Sequence, residues 1–360
     1  MKKMFDKNNT KKATRDSFVT YGIVILVFII VQVMVGTGGM SSLMQGLLVP
    51  LCIYSIAAIG LNLCVGYLGE LSLGHAGFMC VGAFSSAFFT KYMVDTGMNE
   101  SLRFVLAIII GTLTAALFGF LIGIPVLRLQ GDYLAIVTLA FGEIIKNVMN
   151  VLYVGKDSKG LHFSVSDASA LKMEEEGKMI INGPKGITGT PHQASFVIGI
   201  ILILVSLIIV YNLVNSRTGR AVMAIRDNRI AAESVGIPVT KFKLMAFTIS
   251  AAIAGIAGVL YAHNLSTLTA LPANFGYNMS IMLLVFVVLG GMGSFRGSMI
   301  AAVLLTMLPE VLRGLSDYRM LIYAIVLIAM MLFNWAPKSI EWRQRHSLKG
   351  LFSKKTKEVQ

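Results

Sequence analysis

Residues 104–127 read FVLAIIIGTLTAALFGFLIGIPVL, a run without a single charge. A bilayer core about 30 Å thick needs about 20 mostly apolar residues of helix to cross it. In lipid every backbone N–H and C=O must be satisfied within the segment, so such a run is helical. Comparable runs lie at 18–36, 42–65, 71–90, 133–152, 194–214, 243–263, 279–291, 297–313 and 319–335. The sequence therefore predicts an all-α, polytopic membrane bundle of about ten transmembrane helices.

Composition agrees. Hydrophobic residues make up 56% of the chain and charged residues only 14%, against about 25% charged in soluble domains. The net charge of +13 is concentrated in the N-terminal segment (Lys2, Lys3, Lys7, Lys11, Lys12, Arg15), one internal loop and the tail. No basic face carries interleaved aromatics, so nucleic acid is not an expected partner. The charge is expected to set topology and to attract anionic lipid headgroups. Phe18–Val35 is longer than a signal-peptide core and no A-x-A site follows it, so it reads as a retained first span. Cys52, Cys64 and Cys80 all fall inside apolar runs without disulfide or metal spacing.

Starting the N-terminus in the cytoplasm and alternating places 21 Lys and Arg on cytoplasmic connections, nine on external ones, and Lys146 inside a span. The positive-inside rule supports that orientation and puts both termini in the cytoplasm of a multi-pass inner-membrane protein. The expected layout is a basic N-terminus at 1–17, a transmembrane domain at 18–335 and a basic tail at 336–360. Two connections are long: an external loop at 153–193, expected to cap the outer mouth, and a cytoplasmic loop at 215–242. Small residues at Gly119/Gly123, Ala251/Gly255, Ala254/Gly258 and Gly293/Gly297 predict close helix packing.

Three segments carry chemistry. The cytoplasmic loop has helical content from Ala221 to Val235, with Gly236 as a C′ residue and Pro238 as a stop. Val222, Ile225, Ala232 and Val235 can line one side, and Arg226, Asp227 and Arg229 another. Such a charged helix is either a docking knob for a cytoplasmic partner or an interfacial helix on lipid heads. In 66–78, Gly66, Gly69, Gly74 and Gly77 bracket Glu70, Ser72 and His75. This is either a broken helix lining a substrate site or a plain turn with Ser72 as N-cap. In 132–147, Tyr133, Thr138 and Glu143 fall on one apolar span. Glu143 either faces the transport path or simply neutralises Lys146 three residues on.

The loop residues Ala231-Ala232-xxx-Gly236 resemble the "EAA" loop of ABC-importer permeases, with Ile230 in place of the glutamate. The segments 60–78 (Gly60 to Phe78), 129–144 (Leu129 to Ile144), 216–261 and 289–298 resemble permeases for branched-chain amino acids. Together they cover most of 42–335 in the right order, closest to the larger of the two permease subunits of that system. The resemblance implies a heterodimeric permease core with a second homologous permease, two cytoplasmic ATP-binding subunits and an external solute-binding protein. It makes Arg217, Arg220, Arg226, Asp227, Asn228, Arg229, Ala231, Ala232 and Gly236 the ATPase-coupling loop. It puts Glu70, Ser72, His75, Tyr133, Thr138 and Glu143 on the substrate pathway, with Glu143 serving the ammonium end of the cargo. The chain has no G-x-x-x-x-G-K-[ST], so ATP is expected on the partner ATPases and no cofactor on this chain. A urea or short-amide permease of the same build, a sugar permease and an ion-coupled secondary transporter are the competing readings.

Overall fold

The apolar runs become helices whose starts are fixed by the polar residues before them. In the computed structural model, α2 (Ser42–Asn62) is capped by Ser41, whose hydroxyl accepts the Met44 N–H. Helix α4 (Glu100–Val126) is capped by Asn99, and α6 (Phe196–Asn215) by Ser195. Each cap satisfies one of the four orphan N–H groups of a helix start. The structure describes residues 7–94, 97–129, 131–158, 160–171 and 177–312, and scattered positions between 318 and 332.

The other long helices are α1 (Lys7–Gly36), α3 (His75–Tyr92) and α5 (Asp132–Val151). After α6 come two short helices, α7 (Arg217–Asp227) and α8 (Arg229–Ser234), then α9 (Val239–Asn264). The one-turn α10 (Pro272–Phe275), α11 (Tyr277–Gly290) and α12 (Phe295–Val311) follow. Among the described residues, seven helical stretches are long and apolar enough to cross a bilayer. Helices α3 and α12 occupy two further expected spans. The expected tenth span, 319–335, and the tail at 336–360 lie almost wholly outside the described residues. The chain divides into two units, 1–303 and 304–360.

The core of the first unit is built around α9, which packs on α2, α3 and α4. Small residues bring these backbones together, as their spacing predicts. A Cβ added at Gly82 of α3 would lie 2.6 Å from the Gly255 Cα of α9, and one at Gly258 only 2.0 Å from the Met79 carbonyl. In lipid, where no hydrophobic drive separates helix–helix from helix–tail contact, close packing of this kind supplies much of the association energy. The buried His263 side chain joins the α3–α9 contact: its Nδ1 lies 2.9 Å from the Val259 carbonyl and its Nε2 3.0 Å from Thr90 Oγ1.

The all-α expectation needs correcting at 153–193. This connection holds a three-stranded antiparallel sheet of order β2-β1-β3: β1 (Tyr153–Asp157), β2 (Gly160–Ser164) and β3 (Lys178–Asn182). Tyr153 pairs with Ser164 on one side and Asn182 on the other. A second ladder joins β4 (Ile187–Thr188) to β5 (Thr267–Leu268). Buried Val154, Ile180 and Ile181 give the sheet an apolar footing. Lys156 lies 4.2 Å from the Tyr92 ring centroid and donates to the Tyr92 carbonyl, fastening the sheet to the end of α3. The 153–193 connection thus holds a small β-structure at one end of the bundle.

Candidate functional site

The opposite end gathers three connections: α2 to α3, α6 to α9, and α11 to α12. Helix α2 does not stop at Asn62. It runs on as a π-helical turn, Leu63–Leu68, and ends at Gly69 with φ 79°. Wide turns of this kind recur at functional sites. Asn62 holds the turn from within the apolar run. Its amide donates to Ser298 Oγ at 2.7 Å, and its carbonyl oxygen accepts the Gly293 N–H at 2.8 Å. Gly66 fits because it has no side chain; a Cβ there would sit 2.0 Å from Asn62 Oδ1 and 2.2 Å from Gly293 N. Replacing Asn62 with Ala leaves the Gly293 N–H without its partner. It is expected to cost about 1–3 kcal/mol, read as a lower unfolding temperature of the detergent-solubilised protein.

The loop predicted to dock a partner lies directly against this turn. Ser216 accepts the Gly219 N–H and starts α7. Asn228 ends α7 in an extended conformation and, through its Oδ1, accepts the Ala231 N–H to start α8. Gly236 closes α8 at φ 82°, with its N–H on the Glu233 carbonyl and the Ile237 N–H on the Ala232 carbonyl. That is the paired 6→1 and 5→2 bonding of a Schellman cap. Val222, Ile225 and Ala232 are buried as expected. Val235 is not: it stands 75% exposed. Of the one or two short helices that Ala221–Val235 allows, the structure has two; the break at Asn228 resets the helical phase, so the apolar stripe fails at Val235.

The charged residues divide into two kinds. Arg226 points inward: its Nη1 donates to the Gly66 carbonyl at 2.7 Å, while Nη2 and Nε hold Asp227 at 2.9 and 3.2 Å. Arg229 pairs at 2.9 Å with Glu233, one turn on, in the open. Arg217, Arg220, Asn228, Ala231 and Gly236 are exposed, and Ile230 is 79% exposed. The result is a ledge of exposed charge with two exposed apolar side chains, Ile230 and Val235, rooted on the bundle through Arg226 and the Ile225–Ala232–Val239 cluster.

The residues predicted for a pathway are partly brought together. Glu70 forms an ion pair with Lys243 of α9 in nearly complete burial. Lys243 is a residue the sequence marks only as border charge. His75 and Ser72 are fully buried. Ser250 spends its hydroxyl proton on the Gly60 carbonyl at 2.6 Å. It therefore accepts from His75 Nε2 at 3.2 Å, which leaves Nδ1 as the bare acceptor of the neutral ring. Among the described residues, neither His75 Nδ1 nor Ser72 Oγ has a hydrogen-bond partner. The N-cap of α3 is Gly74, without a side-chain bond, so Ser72 is not the cap its position suggests. Instead the Ala76 N–H is met by Ser280 Oγ at 3.1 Å, from α11.

Thr138 receives the Leu73 N–H at 3.1 Å, tying the unwound stretch to α5. Glu143 pairs with Lys146, as their spacing allows, and also accepts the Tyr277 N–H at 2.7 Å. Helix α11 has no side-chain cap of its own, so a carboxylate from α5 fills that place, where the helix dipole favours negative charge. Tyr133 stands apart: it is 72% exposed and does not join this cluster. Ser280, Ser250, Lys243 and Asn62 are site residues that no sequence spacing announces. Asn62 alone carries a signal, a lone amide deep in an apolar run.

Known proteins resemble the chain along most of its length. The family described as "Branched-chain amino acid transport system / permease component" matches residues 43–333. The high-affinity branched-chain amino acid transport system permease protein LivM of Salmonella typhimurium is 36% identical over 312 residues, covering 82% of this chain and 69% of that protein. LivM of Escherichia coli K12 matches to the same extent. The permease protein LivH of S. typhimurium is 24% identical over 257 residues, 70% of this chain and 79% of its own. No solved structure matches the chain significantly. The chain belongs to the family of permease components of branched-chain amino acid transport systems.

Proposed function

We propose that this protein is the LivM-type permease subunit of an ATP-driven importer, carrying leucine, isoleucine and valine across the inner membrane. Family membership supports the cargo. One observation carries the mechanism: the α7–α8 ledge presents exposed charge while Arg226 roots it on the backbone break of α2. A motion imposed on the ledge therefore reaches a discontinuous helix inside the bundle. The ledge end is the cytoplasmic one by its share of Lys and Arg, and about ten spans place both termini there.

The ledges of this chain and of a second permease receive two cytoplasmic ATPases, which hydrolyse ATP; this chain carries no phosphate-binding loop and no hydrolytic role. A second, homologous permease completes the core, consistent with the likeness to both LivM and LivH. An external solute-binding protein delivers cargo at the sheet-bearing end and does the selecting, so intrinsic affinity is low. Membrane lipid surrounds the whole. ATP-driven closure of the ATPase pair draws the ledges together and rocks the permeases between outward- and inward-open states. Affinity purification in mild detergent with mass spectrometry tests the assembly. Recovery of a second permease and P-loop ATPases supports it; recovery of the chain alone rejects it.

The pathway follows the unwound stretch 69–74 and the starts of α3 and α11. Buried, unpartnered Ser72 Oγ and His75 Nδ1 support this, because an intact core leaves few such atoms. Discontinuous helices are where transporters place weak polar contacts. Thr138 and Glu143 line the same region, and Glu143 offers a carboxylate to the cargo ammonium. Glu143→Gln keeps an acceptor for Tyr277 N–H but removes the charge. Uptake is expected to fall by about tenfold with the ATPases still bound. The double variant E143Q/K146M removes the stranded lysine charge. Uptake that stays low in the double variant assigns Glu143 to the pathway; recovery of uptake assigns it to the fold.

A further inference from the structure

The Glu70–Lys243 pair sits in the non-helical stretch 69–74 between the π turn and α3. Both side chains are nearly buried, 12% and 8% exposed. Glu70 follows Gly69, whose missing Cβ makes room for Arg226: an added Cβ would meet Arg226 Cγ at 2.5 Å. The Glu70 carbonyl lies 3.4 Å from Cys64 Sγ, and its N–H donates to the Cys64 carbonyl at 3.2 Å. The segment 62–74 is thus tied to four elements by named contacts. Arg226 holds it to α7, Lys243 to α9, Asn62 to the turn before α12, and Leu73 N–H with Thr138 to α5.

We propose that Glu70 and Lys243 are positioning residues for energy coupling, an ionic latch that clamps the unwound segment 69–74 to α9. Through the latch, displacement of α7 is passed to Ser72 in the unwound stretch and to His75 at the start of α3. The reasoning is mechanical. Arg226 alone reaches the carbonyl of Gly66 and can pull on the π turn. Without a second anchor beyond Gly69, a residue whose left-handed conformation is easily rotated, that pull is absorbed by local unwinding. Glu70 is the next residue, and its partner is on the helix that forms the centre of the core. A buried ion pair suits this use, because once formed it leaves no cheap intermediate state: separating the partners strands both charges in a dry site. This role rests on the permease reading above and takes Glu70 as a latch rather than a contact for cargo.

The test uses the complete complex of both permeases and ATPases in proteoliposomes, with the solute-binding protein and labelled leucine. Uptake and ATP hydrolysis are measured together in the parent complex, in Glu70→Gln and in the exchanged pair E70K/K243E. ATP-driven uptake by the parent complex verifies the permease reading independently of the latch. The latch predicts that leucine carried per ATP falls about tenfold in Glu70→Gln, the size of an ordinary coupling energy. The exchanged pair is expected to regain most of it. An unchanged ratio, with uptake falling only in proportion to the amount of complex, overturns the proposal. Hydrogen exchange on the unsubstituted complex gives a second reading that needs no variant to fold. The latch requires peptide 63–74 to change its protection between nucleotide-free and nucleotide-trapped states; identical protection overturns it.

Discussion

Reversing Arg226 to glutamate is expected to lower ATP-driven uptake by about 100-fold while the protein still inserts in the membrane. The side chain does two things at once. Its Nη1 reaches the Gly66 carbonyl, and its other nitrogens neutralise Asp227. A glutamate there sets acceptor against acceptor at Gly66 and places two carboxylates side by side. Losing a charged hydrogen bond costs about 1.5–3 kcal/mol, and each 1.4 kcal/mol is about tenfold, so that loss alone gives about 10- to 100-fold and the added carboxylate repulsion takes it to the upper end. Reversing Arg229 is expected to do much less to the fold, because its bond to Glu233 is an exposed i,i+4 pair worth about 0.3–0.5 kcal/mol. The double reversal R226E/R229E is expected to abolish transport. Undiminished uptake in the double variant, with normal membrane content, removes the ledge from the coupling machinery.

Gly258→Val is expected to be the most damaging single change to the fold. The first added carbon alone would lie 2.0 Å from the Met79 carbonyl and 2.9 Å from Ala83 N. Both are backbone atoms of α3, so no side chain can swing away, and α3 and α9 must part. Overpacking of side chains costs about 1–3 kcal/mol; a backbone clash at the centre of the core lies above that range. The expected result is several-fold lower accumulation in membranes and a lower unfolding temperature of what remains. Gly97→Ala provides a contrast from outside the packed core, where nothing stands within 4 Å of the added carbon although φ is 68°. Equal accumulation of Gly258→Val and the parent protein contradicts the packing account.

Most of the membrane fold was legible because the bilayer leaves so little choice. An uncharged run such as 104–127 has one answer in lipid, and α4 begins and ends within a few residues of it. What the bilayer does not dictate was harder to read. Strands β1 to β3 lie in water-exposed sequence, are five residues each, and carry no clean alternation of apolar and polar positions. Their pairing depends on contacts across the loop and against Tyr92. The loop at 215–242 was legible as helix and as a Gly236 stop. Its phase was not, since Asn228 serves as the end of one helix and the start of the next. The ion-pair partners divided in the same way. Glu143 and Lys146 are neighbours on one helix, so their spacing predicts the contact. Glu70 and Lys243 meet across 173 residues, and only the fold brings them together. Glu143 also caps α11 across 134 residues, a second role that its own helix could not announce.

Reconstitution of the purified complex is the most direct test of the central claim. Proteoliposomes containing this chain, its second permease and the ATPases would be given labelled leucine with the solute-binding protein outside. ATP would be present or absent on the ATPase side, with no ion gradient imposed. The account predicts concentrative leucine uptake that requires both ATP and the binding protein, and competition by isoleucine and valine but not urea. Uptake that proceeds without ATP, or only when a proton or sodium gradient is imposed, contradicts it.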